Sequence, residues 1–172
     1  MPNDANRDDD RLDLTLKRTI DAPRALIWKA WTDPKHLGNW WTPRPWTTTE
    51  VELDLRPGGI FRTVMRSPEG KDFPHVGCFL EIVDNERIVW TSALLPGFRP
   101  APATDTGGCD MPFTAILTLS ERAGKTDYAV RVLHKDEAGR KAHQEMGFHQ
   151  GWNQCLDQLI EVVKRLKGRR TR

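Results

Sequence analysis

The sequence lacks the marks of a secreted or membrane-inserted protein. No apolar run approaches the roughly 20 residues that a helix needs to cross a bilayer, and the first 15 residues are charged rather than signal-like. The three cysteines, Cys78, Cys109 and Cys155, are odd in number and form no CxxC pair, so they predict neither a disulfide framework nor a zinc knuckle. We expect two buried thiols and one loop thiol in a cytoplasmic protein.

Motifs for nucleotide binding and for nucleophilic catalysis are also missing. The chain contains no P-loop, no G-x-G-x-x-G and no G-x-S-x-G elbow. His143 and His149 would lie about 240° apart on a helix, too far around it to share a metal ion. We therefore expect neither a metal nor a cofactor. The formal charge of +2, from 26 Lys and Arg against 24 Asp and Glu, argues against a nucleic-acid partner.

Tryptophan, by contrast, is unusually abundant, with seven Trp against one Tyr in 172 residues. A chain of this length folds as one domain with a sizeable core. We divide it into a disordered acidic N-terminal tail over residues 1–10, a single domain over 11–167 and a basic C-terminal tail over 168–172. The tryptophans indicate that this domain packs or binds something large and flat.

Hydrophobic periodicity predicts a strand followed by two short helices. Residues 12–20 alternate with period two, as in a strand with one buried face. Arg18 falls on the apolar side of this strand, so its guanidinium must reach a carboxylate, a carbonyl or water. Asp-Pro and Pro signals then predict helices over about 22–32 and 34–41.

The chain from residue 46 onward predicts six more strands joined mainly by short turns. Hairpins are expected around Asp84-Asn85 and Ala123-Gly124. In the run after the Pro57-Gly58-Gly59 turn, Phe61, Thr63 and Met65 should face inward. Residues 96–111 form a long loop rich in Pro and Gly, which is either a lid at a cavity rim or an insertion without function.

One long helix closes the domain. Its apolar residues recur at helical spacing from about Asp136 to Leu166 and include Trp152. When this apolar face is extended toward the N-terminal end of the helix, it includes Glu145, Phe148 and His149. These residues are expected to face the space inside the sheet.

Several short motifs occur in a characteristic order along most of the chain. They are residues 18–24 (RTIDAPR), residues 28–34 (WKAWTDP), Leu37 with Trp40-Trp41, residues 54–59 (DLRPGG), Gly77 with Glu81-Ile82, residues 86–89 (ERIV) and Gly151-Trp152. With the element order β-α-α-β6-α, the chain resembles the SRPBCC or START-like superfamily, and within it the AHSA-like group of heat-shock-protein ATPase activator homologues. The resemblance implies an α+β helix-grip fold, a seven-stranded curled antiparallel sheet around a long C-terminal helix. It implies a shared cavity and no shared catalytic constellation.

In a helix-grip fold, inward residues beneath the long helix are either core or the wall of a ligand cavity. Polar groups in that cavity would be His75, His134, Glu145 and His149. Glu145 and His149 form either an acid-base pair or a half-exposed ion pair, and no residue is assigned a catalytic role. The candidate ligand-binding residues are Trp40, Trp41, Phe61, Met65, Phe79, Trp90, Phe113, Glu145, Phe148, His149 and Trp152.

These observations favour a protein that binds a small, largely apolar molecule, either lipid-like or aromatic and polyketide-like, between the sheet and the C-terminal helix. A cyclase, an aromatase or a hydrolase acting in the same cavity is the alternative. A co-chaperone that stimulates a heat-shock-protein ATPase is a second alternative, implied by the resemblance. Aromatic residues near Trp40, Trp41 and Trp46 also suggest a partner surface, with a homodimer as the expected assembly.

Overall fold

A computed structural model of the protein describes residues 9, 11–103 and 111–170. The predicted acidic tail, apart from Asp9, and Cys109 lie outside the described residues. The helices are α1 (Arg24–Thr32), α2 (Pro34–Leu37), α3 (Glu137–Glu145) and α4 (Phe148–Arg170). The strands are β1 (Asp13–Ile20), β2 (Thr47–Leu53), β3 (Ile60–Arg66), β4 (Asp72–Val83), β5 (Arg87–Thr91), β6 (Leu94–Leu95), β7 (Arg99–Pro100), β8 (Phe113–Arg122) and β9 (Lys125–His134).

Seven strands form one antiparallel sheet in the order β1-β9-β8-β5-β4-β3-β2. Alternate residues of each strand supply the inner face, as in β9, where Tyr128, Val130 and Val132 are buried. The apolar stripe of α4, which includes Leu156 and Leu159, joins the same core. This arrangement confirms the predicted helix-grip fold.

The predicted local features of the sheet are also confirmed. Asn85 at φ 63°, Ala123 at φ 52° and Gly124 at φ 79° form the two expected turns, which need positive φ to match the twist of the hairpins. Arg18 on the inner side of β1 donates from Nη2 to Asn153 Oδ1 at 2.7 Å and forms an ion pair with Asp157. Its guanidinium therefore ties the edge strand to α4.

The C-terminal helix is not continuous, which corrects the prediction of one helix over 136–166. Gly147 has φ 91°, a left-handed conformation that ends α3, and its N–H donates to Gln144 O at 3.1 Å. The second helix, α4, begins at Phe148 and continues to Arg170, beyond the predicted end at Leu166. The direction of α3 is therefore independent of the apolar stripe of α4.

The long loop after β5 contains a small hairpin, β6-β7, within its described part. The N–H of Gly97 donates to Gly58 O at 2.8 Å, and the Phe98 ring lies against Gly58. A side chain at Gly58 would collide with this ring, since its Cβ would stand 2.8 Å from a ring carbon. The hairpin is therefore fastened to the turn that precedes β3.

A buried glutamine joins α4 to the loop that follows α2. Gln158 donates from Nε2 to Thr42 O at 2.8 Å and accepts from the Arg44 N–H at 3.0 Å. These bonds hold the loop that carries Trp40 and Trp41 against the helix.

Replacing Gln158 by leucine is expected to lower the free energy of unfolding by about 1–3 kcal/mol, because buried backbone groups of the loop lose their partner. Gln154→Leu is the matched control, since Gln154 makes a surface bond to Arg44 O at 2.9 Å. The control should stay within about 0.5 kcal/mol of the original chain in urea denaturation. Equal losses in the two variants would contradict the role of Gln158.

Candidate functional site

Aromatic rings fill the deep part of the space between the sheet and α4. We call six of them the aromatic core cluster: Trp31, Trp40, Trp41, Phe61, Phe79 and Trp90. The ring centroids of Trp31 and Trp40 are 4.8 Å apart, those of Trp31 and Trp90 are 5.3 Å apart, and those of Phe61 and Phe79 are 5.0 Å apart. Rings at these separations are in contact, so a ligand at this depth would have to displace them.

Polar groups at the margin of the aromatic core cluster are neutral. Burial raises the pKa of Tyr128, and it raises the pKa of the Cys155 thiol to about 12. The Cys155 Sγ lies 3.5 Å from Trp41 O, its hydrogen-bond acceptor. Because the thiolate is disfavoured, Cys155 is not an activated nucleophile at neutral pH.

A second group of rings lies where β8 and β9 meet the two C-terminal helices, and we call it the histidine–aromatic cluster. Its members are Phe113 of β8, His134 of β9, His143 of α3, and Phe148 and Trp152 of α4. Phe113 and His134 are cross-strand partners on the inner face of the sheet. Phe148 is buried, whereas Phe113, His143 and Trp152 are half-buried. This cluster therefore combines an apolar surface with partial access to solvent.

The two imidazoles of the histidine–aromatic cluster are hydrogen-bonded to each other. His134 Nε2 lies 2.9 Å from His143 Nδ1, and His134 Nδ1 lies 2.8 Å from Leu12 O. Burial, and secondarily the charge of His134, lower the pKa of His143 to about 4. The His143 imidazole is therefore uncharged at neutral pH.

Glu145 and His149 do not form the predicted pair and do not face the interior. Both side chains are exposed, and Glu145 instead pairs with Lys141 at 3.9 Å. The left-handed Gly147 between them breaks the helical phase from which the prediction was made. His149 follows the buried Phe148 directly, about 100° around the helix, and its exposed ring touches the outer side of the Phe148 ring, with centroids 5.1 Å apart.

The other predicted site residues divide between the two clusters, with one exception. Trp40, Trp41, Phe61, Phe79 and Trp90 belong to the aromatic core cluster, and Phe113, Phe148 and Trp152 belong to the histidine–aromatic cluster. Met65 is half-buried near the end of β3, opposite Phe73. Trp40 is buried while Trp41 and Trp46 are half-buried, so the homodimer stays a prediction.

Two residues of the clusters, Trp31 and His143, were missing from the predicted site, whereas His134 was predicted as a polar group of the cavity. Trp31 lies on the buried face of α1 with Leu26, Ile27 and Ala30, so its spacing indicates packing and gives no sign of a ligand site. His134 is the last inward position of β9, which its period-two spacing from Val132 indicates. His143 could not be placed, because its direction depends on the break at Gly147.

Two hollows of about 300 Å³ each lie outside the space beneath α4. One lies between α2 and the edge strand β2, and the other lies on the outer face of the sheet, over Ala129 of β9. Among the described residues, no three His, Cys, Asp or Glu side chains are grouped as metal ligands. No described helix is long and apolar enough to span a membrane.

An antiparallel sheet curled around a C-terminal helix, with aromatic side chains on its inner face, defines a helix-grip domain of the SRPBCC class. The family model described as "Activator of Hsp90 ATPase homolog 1-like protein" matches residues 21–164. The chain therefore belongs to the AHSA1 family. This assignment confirms the resemblance seen in the sequence motifs.

Solved structures agree with this assignment. A protein from Nitrosomonas europaea is 42% identical with a TM-score of 0.87, and the match covers 94% of this chain and 99% of that one. An AHSA1-like protein from Aeromonas hydrophila is 20% identical with a TM-score of 0.66, covering 91% of this chain and 94% of that one. A protein from Arthrobacter aurescens is 23% identical with a TM-score of 0.77, and the match covers 92% of this chain and 90% of that one. The last two show the fold alone, and no curated protein matches the chain.

Proposed function

We propose that the protein binds a small, largely apolar molecule, lipid-like or aromatic and polyketide-like, between the sheet and the C-terminal helix. The ligand would enter at the histidine–aromatic cluster and rest on Phe113, Phe148 and Trp152. Trp41 and the rest of the aromatic core cluster would form the floor of the site. Met65, on the same inner face of β3 as Phe61, would extend the apolar wall toward the sheet edge.

One observation carries this proposal. The half-buried rings of Phe113 and Trp152 have their centroids 6.1 Å apart, and the His143 imidazole lies beside them. Phe148 of the same cluster is sealed by its neighbours, whereas Phe113 and Trp152 keep partial access to solvent. Rings that keep partial access to solvent beside a polar group are typical of the walls of a ligand site. The short helix α3 has no buried residue and is joined to α4 through Gly147. We therefore propose that α3 covers the ligand bound at the histidine–aromatic cluster.

The enzyme alternative, a cyclase, an aromatase or a hydrolase in the same site, has one observation in its favour. His143 is uncharged at neutral pH and is oriented by His134, as a general base must be, but its pKa of about 4 makes it a weak base at pH 7. A base alone does not define a reaction, because no second catalytic group accompanies it among the described residues of the cluster. Binding is therefore the better-supported function.

The test is a titration with the apolar fluorescent probe N-phenyl-1-naphthylamine. The original protein should bind it saturably, and Trp152→Ala should weaken binding at least about ten-fold, since a large apolar contact is lost. Trp28→Ala is the matched control, because Trp28 is a half-buried tryptophan of α1 outside both clusters. It should leave the affinity unchanged.

Absence of saturable binding, or an equal effect of the two variants, would overturn the proposal. The co-chaperone alternative is tested separately by adding the protein to an Hsp90-type chaperone and measuring ATP hydrolysis. Stimulation without probe binding would identify the activity that the family description names instead of ligand binding.

A further inference from the structure

The hydrogen bonds around His134 determine where the protons of the histidine pair lie. Leu12 O accepts from the backbone N–H of His134 at 3.0 Å and lies 2.8 Å from its Nδ1. A carbonyl oxygen can only accept, so Nδ1 of His134 carries a hydrogen. In the neutral ring Nε2 is then without one, and it accepts the hydrogen bond from Nδ1 of His143 at 2.9 Å.

The same reasoning extends to the second ring. Because Nδ1 of His143 donates to His134, the neutral His143 ring has no hydrogen on Nε2. This atom has no hydrogen-bond partner among the described residues, and it belongs to a half-buried ring. His143 therefore ends the hydrogen-bonded chain from Leu12 O, with an Nε2 lone pair that no described residue uses.

The surroundings of that lone pair are aromatic. The His143 ring centroid lies 5.4 Å from that of Phe113, 5.1 Å from that of Phe148 and 6.2 Å from that of Trp152. A planar molecule that packs against Phe113 and Trp152 would thus bring its edge to an acceptor whose orientation is already set. Hydroxyl groups of aromatic molecules are strong donors that match such an acceptor.

We infer that His143 Nε2 is a preoriented hydrogen-bond acceptor and that the ligand of this site is a planar aromatic molecule with a hydroxyl group. The inference rests on the proposed binding function and narrows the class of its ligand. His143 contacts the hydroxyl, and His134 is a positioning residue that selects the tautomer of His143.

The charge state of His143 supports this assignment. The lowered pKa of His143, about 4, keeps its ring neutral and its Nε2 an acceptor at pH 7. His134 is the titratable group in direct contact with it. Among the nearby charged groups of β1, β9, α3 and α4, Asp13 pairs with Arg131 and Lys141 pairs with Glu145, while Asp136, Glu137 and His149 are exposed. Arg140 of α3 is half-buried, and its Nε is buried without a hydrogen-bond partner among the described residues.

The experiment compares 2-naphthol with 2-methoxynaphthalene by equilibrium dialysis at pH 7. The two compounds share the ring system, and only the naphthol donates a hydrogen bond. The dissociation constant of 2-methoxynaphthalene divided by that of 2-naphthol should be about five- to ten-fold larger in the original protein than in His143→Phe. This is the effect expected of one hydrogen bond. His36→Phe is the control, since it makes the same change at a half-buried position of α2 outside both clusters, and its ratio should equal that of the original protein.

A second measurement needs no variant. Long-range nitrogen–proton NMR correlation distinguishes a bare imidazole nitrogen from a protonated one in the intact protein. A bare Nε2 on His143 and a protonated Nδ1 on His134 at pH 7 are expected, and His134→Gln should shift His143 toward a mixture of tautomers.

The outcomes separate the two proposals. If neither compound binds, the proposed function fails. If both bind and the ratio is the same in the original protein and in His143→Phe, or if Nε2 of His143 carries a hydrogen at pH 7, apolar binding stands and the assignment of the acceptor is overturned. Binding of 2-methoxynaphthalene by His143→Phe shows that the variant site is folded.

Discussion

Gly59→Ala is expected to lower the free energy of unfolding by at least about 3 kcal/mol, because the added methyl group would collide with backbone rather than with movable side chains. A Cβ at this position would stand 1.9 Å from Asp54 O and 2.9 Å from Arg56 O. The Gly59 carbonyl also accepts from the Phe79 N–H at 2.9 Å, so the turn cannot shift without loosening β4. Urea denaturation followed by circular dichroism measures the loss.

Gly151→Ala is the control for this substitution and should have the opposite sign. Gly151 lies within α4, and a Cβ there would meet nothing within 4 Å. Alanine at an open helical position should raise the free energy of unfolding by about 0.5–1 kcal/mol. A Gly59→Ala variant as stable as Gly151→Ala would show that the turn before β3 is not constrained as described.

Trp31→Ala is expected to lower the free energy of unfolding by about 3–5 kcal/mol, since it removes a large side chain from the centre of the aromatic core cluster. Trp31 is buried, with 3% of its surface exposed. Its ring contacts those of Trp40, Trp41 and Trp90 at centroid distances of 4.8, 5.6 and 5.3 Å. Neighbouring rings of this size cannot close over the space it leaves. Thermal or urea denaturation measures the effect.

Trp46→Ala is the matched control for the tryptophan substitution. Trp46 is half-buried, and the aromatic partner of its ring is Phe73 at 5.4 Å. Its replacement should lower the free energy of unfolding by about 1 kcal/mol. Losses of equal size at positions 31 and 46 would mean that the aromatic core cluster does not hold the fold together.

Most of the fold was predictable because its signals are local. The period-two strands, the turns at Asp84-Asn85 and Ala123-Gly124 and the Asp-Pro start of α2 each depend on a few adjacent residues. The Asp33 side chain accepts from the Lys35 N–H at 3.0 Å, as expected of a residue that caps a helix. Arg18 was also predicted correctly to need a polar partner, although the sequence could not name Asn153 and Asp157.

The candidate site was harder to predict, because a site depends on directions as well as on patterns. Extending the phase of Trp152 backward worked as far as Phe148, which is buried as expected. It failed for Glu145 because one residue with positive φ, Gly147, separates the two helices. A glycine near the start of a long helical pattern is a recognised termination signal, and here it outweighed the apolar periodicity.

The sequence by itself determined the order of the seven sheet strands along the chain, the family and which residues of each strand face inward, because these depend on short-range periodicity and on motifs. Only the tertiary structure decided which aromatic residues fill the core and which stay half-buried, since that depends on how rings from distant segments pack. It also brought His134 and His143 together from β9 and α3, on either side of a turn whose geometry the pattern of residues does not encode. The acceptor at Nε2 of His143 follows from that contact, because the proton positions are set by neighbours that meet only in the folded chain.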